Sequence, residues 1–309
     1  MKLLTRLTLT LIALFPLTAG TAQDARDCER DCIIAIVSDY VTALLDHDPT
    51  GQPFADNLRA TENGVTTEPG RGVWQTISAR GGYSQIFVDD GLQDAVFFGA
   101  FSEGDDPLLL AIRFRIEDRK ITEIENLVSR PDARNGLINR HQLREPNPAF
   151  EIPLPPEQRL TRNQLIAYGH AYFDGIQFSS DAGVPMHREC LRRENGVVLL
   201  RNQNPQTEPC PAGFQRFNYI TSVRDRRVAV VDSEHGLVLM WAFFDVPGNV
   251  EVEDRRGGPS DVGGANAVDT RRIPRSLYIA ELFRVVEGGI RDIDAVMFNL
   301  DLGAKSGWE

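Results

Sequence analysis

Apolar residues return at helical spacing twice along this chain. Ile33, Ile36, Val37, Tyr40 and Leu44 form one stripe, and Leu165, Tyr168, Tyr172 and Ile176 form another, with Gly169 where Val37 stands. Steps of three and four residues place side chains on one face of an α-helix, so each segment predicts an amphipathic helix. Thr161 and Gln164 have capping-box spacing at the start of the second. The period then changes. AVFFGAF (95–101) and GLVLMWAFFDV (236–246) read as strands. Each copy closes on a matched pair of strands, LLLAIRFRIEDRKITEIENLV and LYIAELFRVVEGGIRDIDAVMF, in which Phe114 aligns with Phe283, Ile121 with Ile290 and Ile124 with Ile293. Helices followed by an antiparallel sheet, written twice, predict an α+β fold.

The duplication has a second signature. TENGV (61–65) returns as RENGV (193–197), and with no gap Ile34 meets Ile166, Ala35 meets Ala167, Tyr40 meets Tyr172, Gly51 meets Gly183 and Pro53 meets Pro185. Unrelated sequences match at about one position in twenty, so these identities mark an internal repeat. Asn-Gly favours a type I′ hairpin turn, whose two central residues both need positive φ, so ENGV is read as a turn and not as a catalytic signature. The Pro-rich REPNPAFEIPLPPEQ (144–158) reads as a linker between a first domain at 23–143 and a second at 159–309. Val250 to Arg272, rich in Gly, Asp and Arg, reads as a surface insertion between strands of copy two.

Lys2 and Arg6 precede an apolar run from Leu7 to Leu17, and the small residues Ala19, Gly20 and Ala22 follow. That order predicts a signal peptide over 1–22 and export to the periplasm or extracellular space. The run is too short to span a bilayer as a helix. The formal net charge is -11, and losing Lys2 and Arg6 makes the remainder more acidic. Such a chain repels nucleic-acid backbones and anionic membrane surfaces, so neither is an expected partner. Four cysteines, Cys28, Cys32, Cys190 and Cys210, are an even number, and in an exported chain they predict disulfides. Local pairing, Cys28 with Cys32 and Cys190 with Cys210, is preferred among three connectivities. Neither pair has a His at zinc-site spacing, so no metal is expected.

The element order resembles the cone-shaped nuclear transport factor 2-like superfamily, also called SnoaL-like. More narrowly, it is similar to an exported tandem subfamily of largely unassigned function. The likeness rests in copy one on CERDC, Tyr40, the HDP of His47 to Pro49, TENG and the G-x-G-x-W of Gly70 to Trp74. In copy two it rests on Cys190 before RENG, VRDRR (223–227), VVD (230–232), FFD (243–245), ELF (281–283) and a terminal SGW. Val246 stands where members often have His, and LGAKSGW replaces a more usual Tyr-Gly ending. The resemblance implies two tandem cones that could pair as an internal pseudo-dimer. It does not imply one reaction, since the superfamily includes dehydratases, isomerases, hydrolases, lyases and many non-enzymes.

The candidate chemistry falls mainly in copy two. Leu277, Ile279, Phe283 and Val285 alternate on one strand face with Glu281 among them, and copy one has Ile112 at that position. A carboxylate on an apolar face loses solvation, which raises its pKa toward neutrality and suits it to proton transfer. The competing reading pairs Glu281 with an arginine, such as one of RDRR, to order the sheet. Tyr172 could steady an oxyanion, or pack as Tyr40 does in copy one. Trp241 and Phe243 suit an apolar or aromatic ligand, with Asp245 at the rim; core packing and strand-end solvation are the alternatives. Phosphate loops, G-x-S-x-G elbows and HExxH sets are absent, so no cofactor is expected. What remains is a cofactor-free lyase or isomerase, or a non-catalytic module that binds a small molecule or another protein.

Overall fold

The computed structural model describes residues 28–89, 91–131, 145–201, 210–248 and 272–309. The expected signal peptide and all but the last residue of the 250–272 insertion lie outside them. Helix α1 (Arg30–Leu45) opens the first half and is followed by hairpin strands β1 (Phe54–Glu62) and β2 (Val65–Thr67). A single helical turn, α2 (Val73–Thr76), leads into a meander of β3 (Ala79–Asp89), β4 (Asp94–Glu103), β5 (Asp106–Glu117) and β6 (Lys120–Ser129). The second half repeats this with α3 (Arg162–Phe178), β7 (Met186–Glu194), β8 (Val197–Arg201), β9 (Ser222–Asp232), β10 (Leu237–Val246), β11 (Arg275–Val286) and β12 (Gly289–Leu300). A 3-10 segment, Cys210–Phe217, stands where the first half has α2. The sheet orders are β2-β1-β6-β5-β4-β3 and β8-β7-β12-β11-β10-β9. In each, the hairpin joins the last strand in parallel and the other pairings are antiparallel. The same helix-and-sheet unit is therefore present twice, in an α+β molecule.

Each helix buries its predicted stripe. Ile33, Val37, Tyr40 and Leu44 enter the first cone, while Leu165, Gly169, Tyr172 and Ile176 enter the second. Thr161 and Gln164 form a complete capping box, which satisfies amide groups at the α3 start that the helix itself leaves unbonded.

The backs of the two sheets pack on each other. Even positions of β10 (Val238, Met240, Ala242, Phe244) face α3, whereas odd positions (Leu237, Leu239, Trp241, Phe243) join Phe98, Leu109 and Ala111 of the first half in a third core. Arg30 at the start of α1 pairs at 2.5 Å with Asp232 at the end of β9. Arg162 at the start of α3 pairs at 2.5 Å with Asp89 at the end of β3. This reciprocity is what a two-fold interface requires, here between halves of one chain. The linker is docked rather than loose: Phe150 lies in the shared core and the Leu154 amide bonds the Glu234 carbonyl at 2.8 Å.

The repeated ENG is a structural clamp. Asn63 and Gly64 have φ of 48° and 82°, and Asn195 and Gly196 have 44° and 80°, as a type I′ turn demands. Each Asn also bonds the last strand of its sheet through both ends of its amide. Asn63 donates to the Val128 carbonyl at 3.0 Å and accepts from the Val128 amide at 2.9 Å; Asn195 does the same with Met297 at 3.0 and 2.9 Å. The first turn also carries the terminal tail: a Cβ at Gly64 would collide with the Lys305 carbonyl, and the Trp308 indole donates to the Thr61 hydroxyl at 2.9 Å.

Candidate functional site

Strand β11 is buried along most of its length, and its odd positions Ile279, Phe283 and Val285 join the core beneath α3. Glu281 shares that parity and has no solvent exposure. Its pairing across β10 is with Met240, as Ile112 pairs with Phe97 in the first half, so the substitution of a carboxyl for an apolar side chain occurs at equivalent points of the two cones. Tyr172 reaches the same place from α3, packing edge-on against Phe214 at 5.3 Å and against Phe283 at 4.7 Å between ring centroids.

Two further groups complete the cluster, and neither was singled out from the sequence. On β7, Cys190, Arg192 and Glu194 alternate inward. Arg192 is almost fully buried and donates to Glu194, with its guanidinium 5.7 Å from the centre of the Tyr172 ring and 4.7 Å from that of Phe217. The first half has Ala60 at the place of Arg192, in an apolar core. The signal was available in the period-two alternation with Cys190.

Burial pushes the Glu281 carboxyl up to about 8; the Arg192 charge opposes that rise, Glu194 adds to it, and the Tyr172 hydroxyl opposes it. The hydroxyl stands beside the carboxyl without completing a hydrogen bond. Neither Glu281 oxygen has a partner among the described residues, and neither does the Tyr172 hydroxyl. Burial is also the main reason the Tyr172 phenol is raised well above its ordinary range. Burial works against the Arg192 charge, but Glu194, Tyr172 and Glu281 outweigh it and keep the guanidinium protonated. Near neutrality the cluster therefore holds a neutral carboxylic acid, a phenol and an ion pair within an otherwise apolar interior. In the first cone the equivalent Tyr40 hydroxyl is satisfied, accepting from the Trp74 indole at 3.1 Å.

Other sequence expectations are corrected. The arginines of RDRR do not meet Glu281: Arg224 pairs with Asp245, Arg226 with Asp174 and Arg227 with Glu125. Trp241 and Phe243 do not share a chamber with Glu281, because their odd positions on β10 face the other half. Phe243 stacks on Tyr278 at 4.4 Å with its ring 11° from parallel. Asp245 is engaged by Arg224 at 2.8 Å and by the Ser276 hydroxyl at 2.6 Å, which leaves it a structural acceptor and not a rim for that chamber. The preferred disulfide pairing, by contrast, is the one present: Cys28 bonds Cys32 and Cys190 bonds Cys210. The second disulfide ties β7, one residue from Leu191 and two from Arg192, to the segment that carries Phe214 and Phe217.

The chain thus holds two cones of one α+β design, one with an apolar interior and one that carries ionisable groups. The chain belongs to the family described as "Domain of unknown function (DUF8021)", whose model matches residues 26–128 and 158–297. No curated protein matches it. Among solved structures, it is similar to PrhC from Penicillium brasilianum NBRC 6234, at 15% identity and a TM-score of 0.28, over 45% of this chain and 83% of that one. A steroid delta-isomerase from Pseudomonas aeruginosa matches at 14% identity and a TM-score of 0.27, over 34% of this chain and 84% of that one. An NTF2-like protein from Cytophaga hutchinsonii ATCC 33406 matches at 10% identity and a TM-score of 0.28, over 46% of this chain and all of that one (100%). No helix among the described residues is long and apolar enough to cross a membrane.

Proposed function

We propose that this is an exported protein whose second cone receives a small apolar or aromatic molecule bearing a carbonyl or hydroxyl oxygen, and that Glu281 moves a proton on it without a cofactor. The observation that carries this reading is the fully buried Glu281 carboxyl with both oxygens unpartnered beside an unpartnered Tyr172 hydroxyl. Buried polar groups normally have partners, and a ligand oxygen would complete both. With its pKa at about 8, Glu281 is mainly protonated near neutrality and acts first as an acid. It gives its proton to the departing ligand oxygen as the carbon–oxygen bond breaks, and the carboxylate so formed takes the proton released from the adjacent carbon. Tyr172 donates a second hydrogen bond to the same oxygen, and Arg192 steadies the carboxylate left behind. Elimination of water proceeds by these two transfers and hydration by their reverse, which is the chemistry of a cofactor-independent lyase; moving a proton between two carbons with the same carboxyl is that of an isomerase. Phe214 packs on Tyr172 at 5.3 Å inside the cone, so admission of a ligand beside Tyr172 requires that ring to give way. The disulfides accord with an oxidising compartment.

The Arg192 and Glu194 pair favours a second reading, in which the cluster holds a ligand without turning it over. Native mass spectrometry after incubation with a mixture of lipophilic ketones, enones and alcohols separates the two. A retained small molecule that is converted by the wild type and kept unchanged by Glu281→Gln supports catalysis. Retention without conversion supports holding, and no retained molecule in either protein removes both.

A further inference from the structure

A cleft of about 470 Å³ opens where the halves meet, away from the Glu281 cluster. The first half contributes Arg59, Arg113 and Arg115 to its walls, together with the carboxylates Asp94 and Glu123, and the second contributes Arg227 and Trp241; Trp308 of the terminal tail closes one side. In an acidic protein this is a concentration of four guanidinium groups, and their partners can be followed one by one. Arg115 pairs with Asp94 at 3.1 Å. Arg113 pairs with Glu123 at 2.8 Å and with Glu125 at 3.0 Å, and Arg227 shares Glu125 at 2.6 Å. Three carboxylates thus serve three of the arginines. Arg59 has no carboxylate partner among the described residues; it donates to the Gly307 carbonyl and lies 4.2 Å from the centre of the Trp308 ring. The local balance is one positive charge in excess.

The cleft has a second unmet requirement. The indole N–H of Trp241 is buried without a hydrogen-bond partner, and so is the Nε–H of Arg227, its register neighbour across β9 and β10. Both are donors only, so an acceptor is what each lacks. Val228, Ala229 and the two indoles make the remaining lining apolar. The volume is within the range of small-molecule sites and far exceeds what a bare inorganic oxyanion fills. One excess charge matches a monoanion, and planar guanidinium groups match the geometry of a carboxylate.

We propose that this cleft binds a small organic monocarboxylate with an apolar or aromatic body, its carboxylate held by Arg59 and the neighbouring guanidinium groups. Because its walls come from both halves and the tail, the ligand bridges all three. This site is separate from the Glu281 cluster and does not depend on the function proposed for it.

Isothermal titration calorimetry with benzoate, phenylacetate and octanoate tests the assignment, with benzamide and sulfate as comparisons. At least one carboxylate binds saturably, with benzamide and sulfate far weaker, and affinity falls as salt rises. Arg59→Gln weakens that binding about tenfold, the size expected for losing a hydrogen bond to a charged group. Glu123→Gln removes a competing carboxylate and strengthens it severalfold, a gain that a misfolded variant could not produce. Three results overturn the proposal: no carboxylate saturates, sulfate binds as well as the organic acids, or affinity is indifferent to both variants. Binding lost in Glu281→Gln but kept in Arg59→Gln places the carboxylate in the second cone and overturns it as well.

Discussion

Glu281 and Ile112 occupy the same point of two copies of one unit, and the difference between them is a difference in free energy that depends on pH. Glu281 is raised from its ordinary value near 4.5 to about 8, chiefly by burial. Below pH 4.5 it is protonated in both the folded and the unfolded chain and costs nothing in charge. Between pH 4.5 and 8 the folded protein keeps a proton that the unfolded chain releases, so stability falls as pH rises through this window. Above about 8 the loss is complete, amounting to as much as about 5 kcal/mol for this single group. Asp94, Asp292 and Asp294 are also raised by burial, so the total slope belongs to several groups. Subtracting the Glu281→Gln variant isolates one of them, since Gln mimics the neutral acid at every pH. Urea midpoints from pH 5 to 9 should show the wild type losing ground to Glu281→Gln, with the change centred between 5 and 8. A constant difference across that range would mean the carboxyl is not the buried acid described here.

At the scale of elements, the two disulfides differ in how much chain they close. Cys190–Cys210 spans 20 residues and joins β7 to the 3-10 segment that begins at Cys210, while Cys28–Cys32 spans four at the start of α1. Loop-closure entropy gives about 3 kcal/mol for the longer and about 2 kcal/mol for the shorter. Cys190→Ser with Cys210→Ser should therefore lower the urea midpoint more than Cys28→Ser with Cys32→Ser; the reverse order would show that the α1 crosslink acts through more than chain entropy. Helices, capping box, hairpins and strand pairs were legible because each is a local pattern, with a period of 3.6 or 2 and marked turn residues. The face that Glu281 occupies was legible for the same reason. The partner of each face was not. Alternation separates Trp241 and Phe243 from Met240 and Phe244, yet it cannot say which set meets α3 and which meets the other half. A better signal was the near-continuous apolar run in β4 and β10, which is how strands read when both faces are buried. For Arg192 the alternation with Cys190 marked the inward face but not the burial of the charge. A buried arginine looks like a surface one until its neighbours are placed, and Glu194 and Tyr172 come from a turn shoulder and a helix.

At the scale of the whole molecule the two sheets share a core, and a polar centre of that interface is Glu125. This residue has no exposure, accepts from Arg113 at 3.0 Å and from Arg227 at 2.6 Å, and also accepts from the Tyr278 hydroxyl. Burial works to raise its pKa, but the Arg227 hydrogen bond and the charges of Arg227 and Arg113 outweigh it, leaving Glu125 below its ordinary value. Its stabilising effect is consequently present above about pH 4.5 and is lost as pH falls below that. Glu125→Gln leaves Arg227 without a carboxylate beside the shared core, while Arg113 keeps Glu123 at 2.8 Å; breaking a buried pair from one side costs about 3 kcal/mol. Trp74 reports on the first cone and Trp241 on the interface, so variants retaining one or the other follow the two regions separately. If the halves form one cooperative unit, both probes unfold at the same urea concentration in the parent protein, and Glu125→Gln lowers both together at pH 7. A shift confined to the Trp241 signal would make the interface a dispensable contact between independent cones, and the reciprocal Arg30–Asp232 and Arg162–Asp89 pairs would then be registering the halves without holding them.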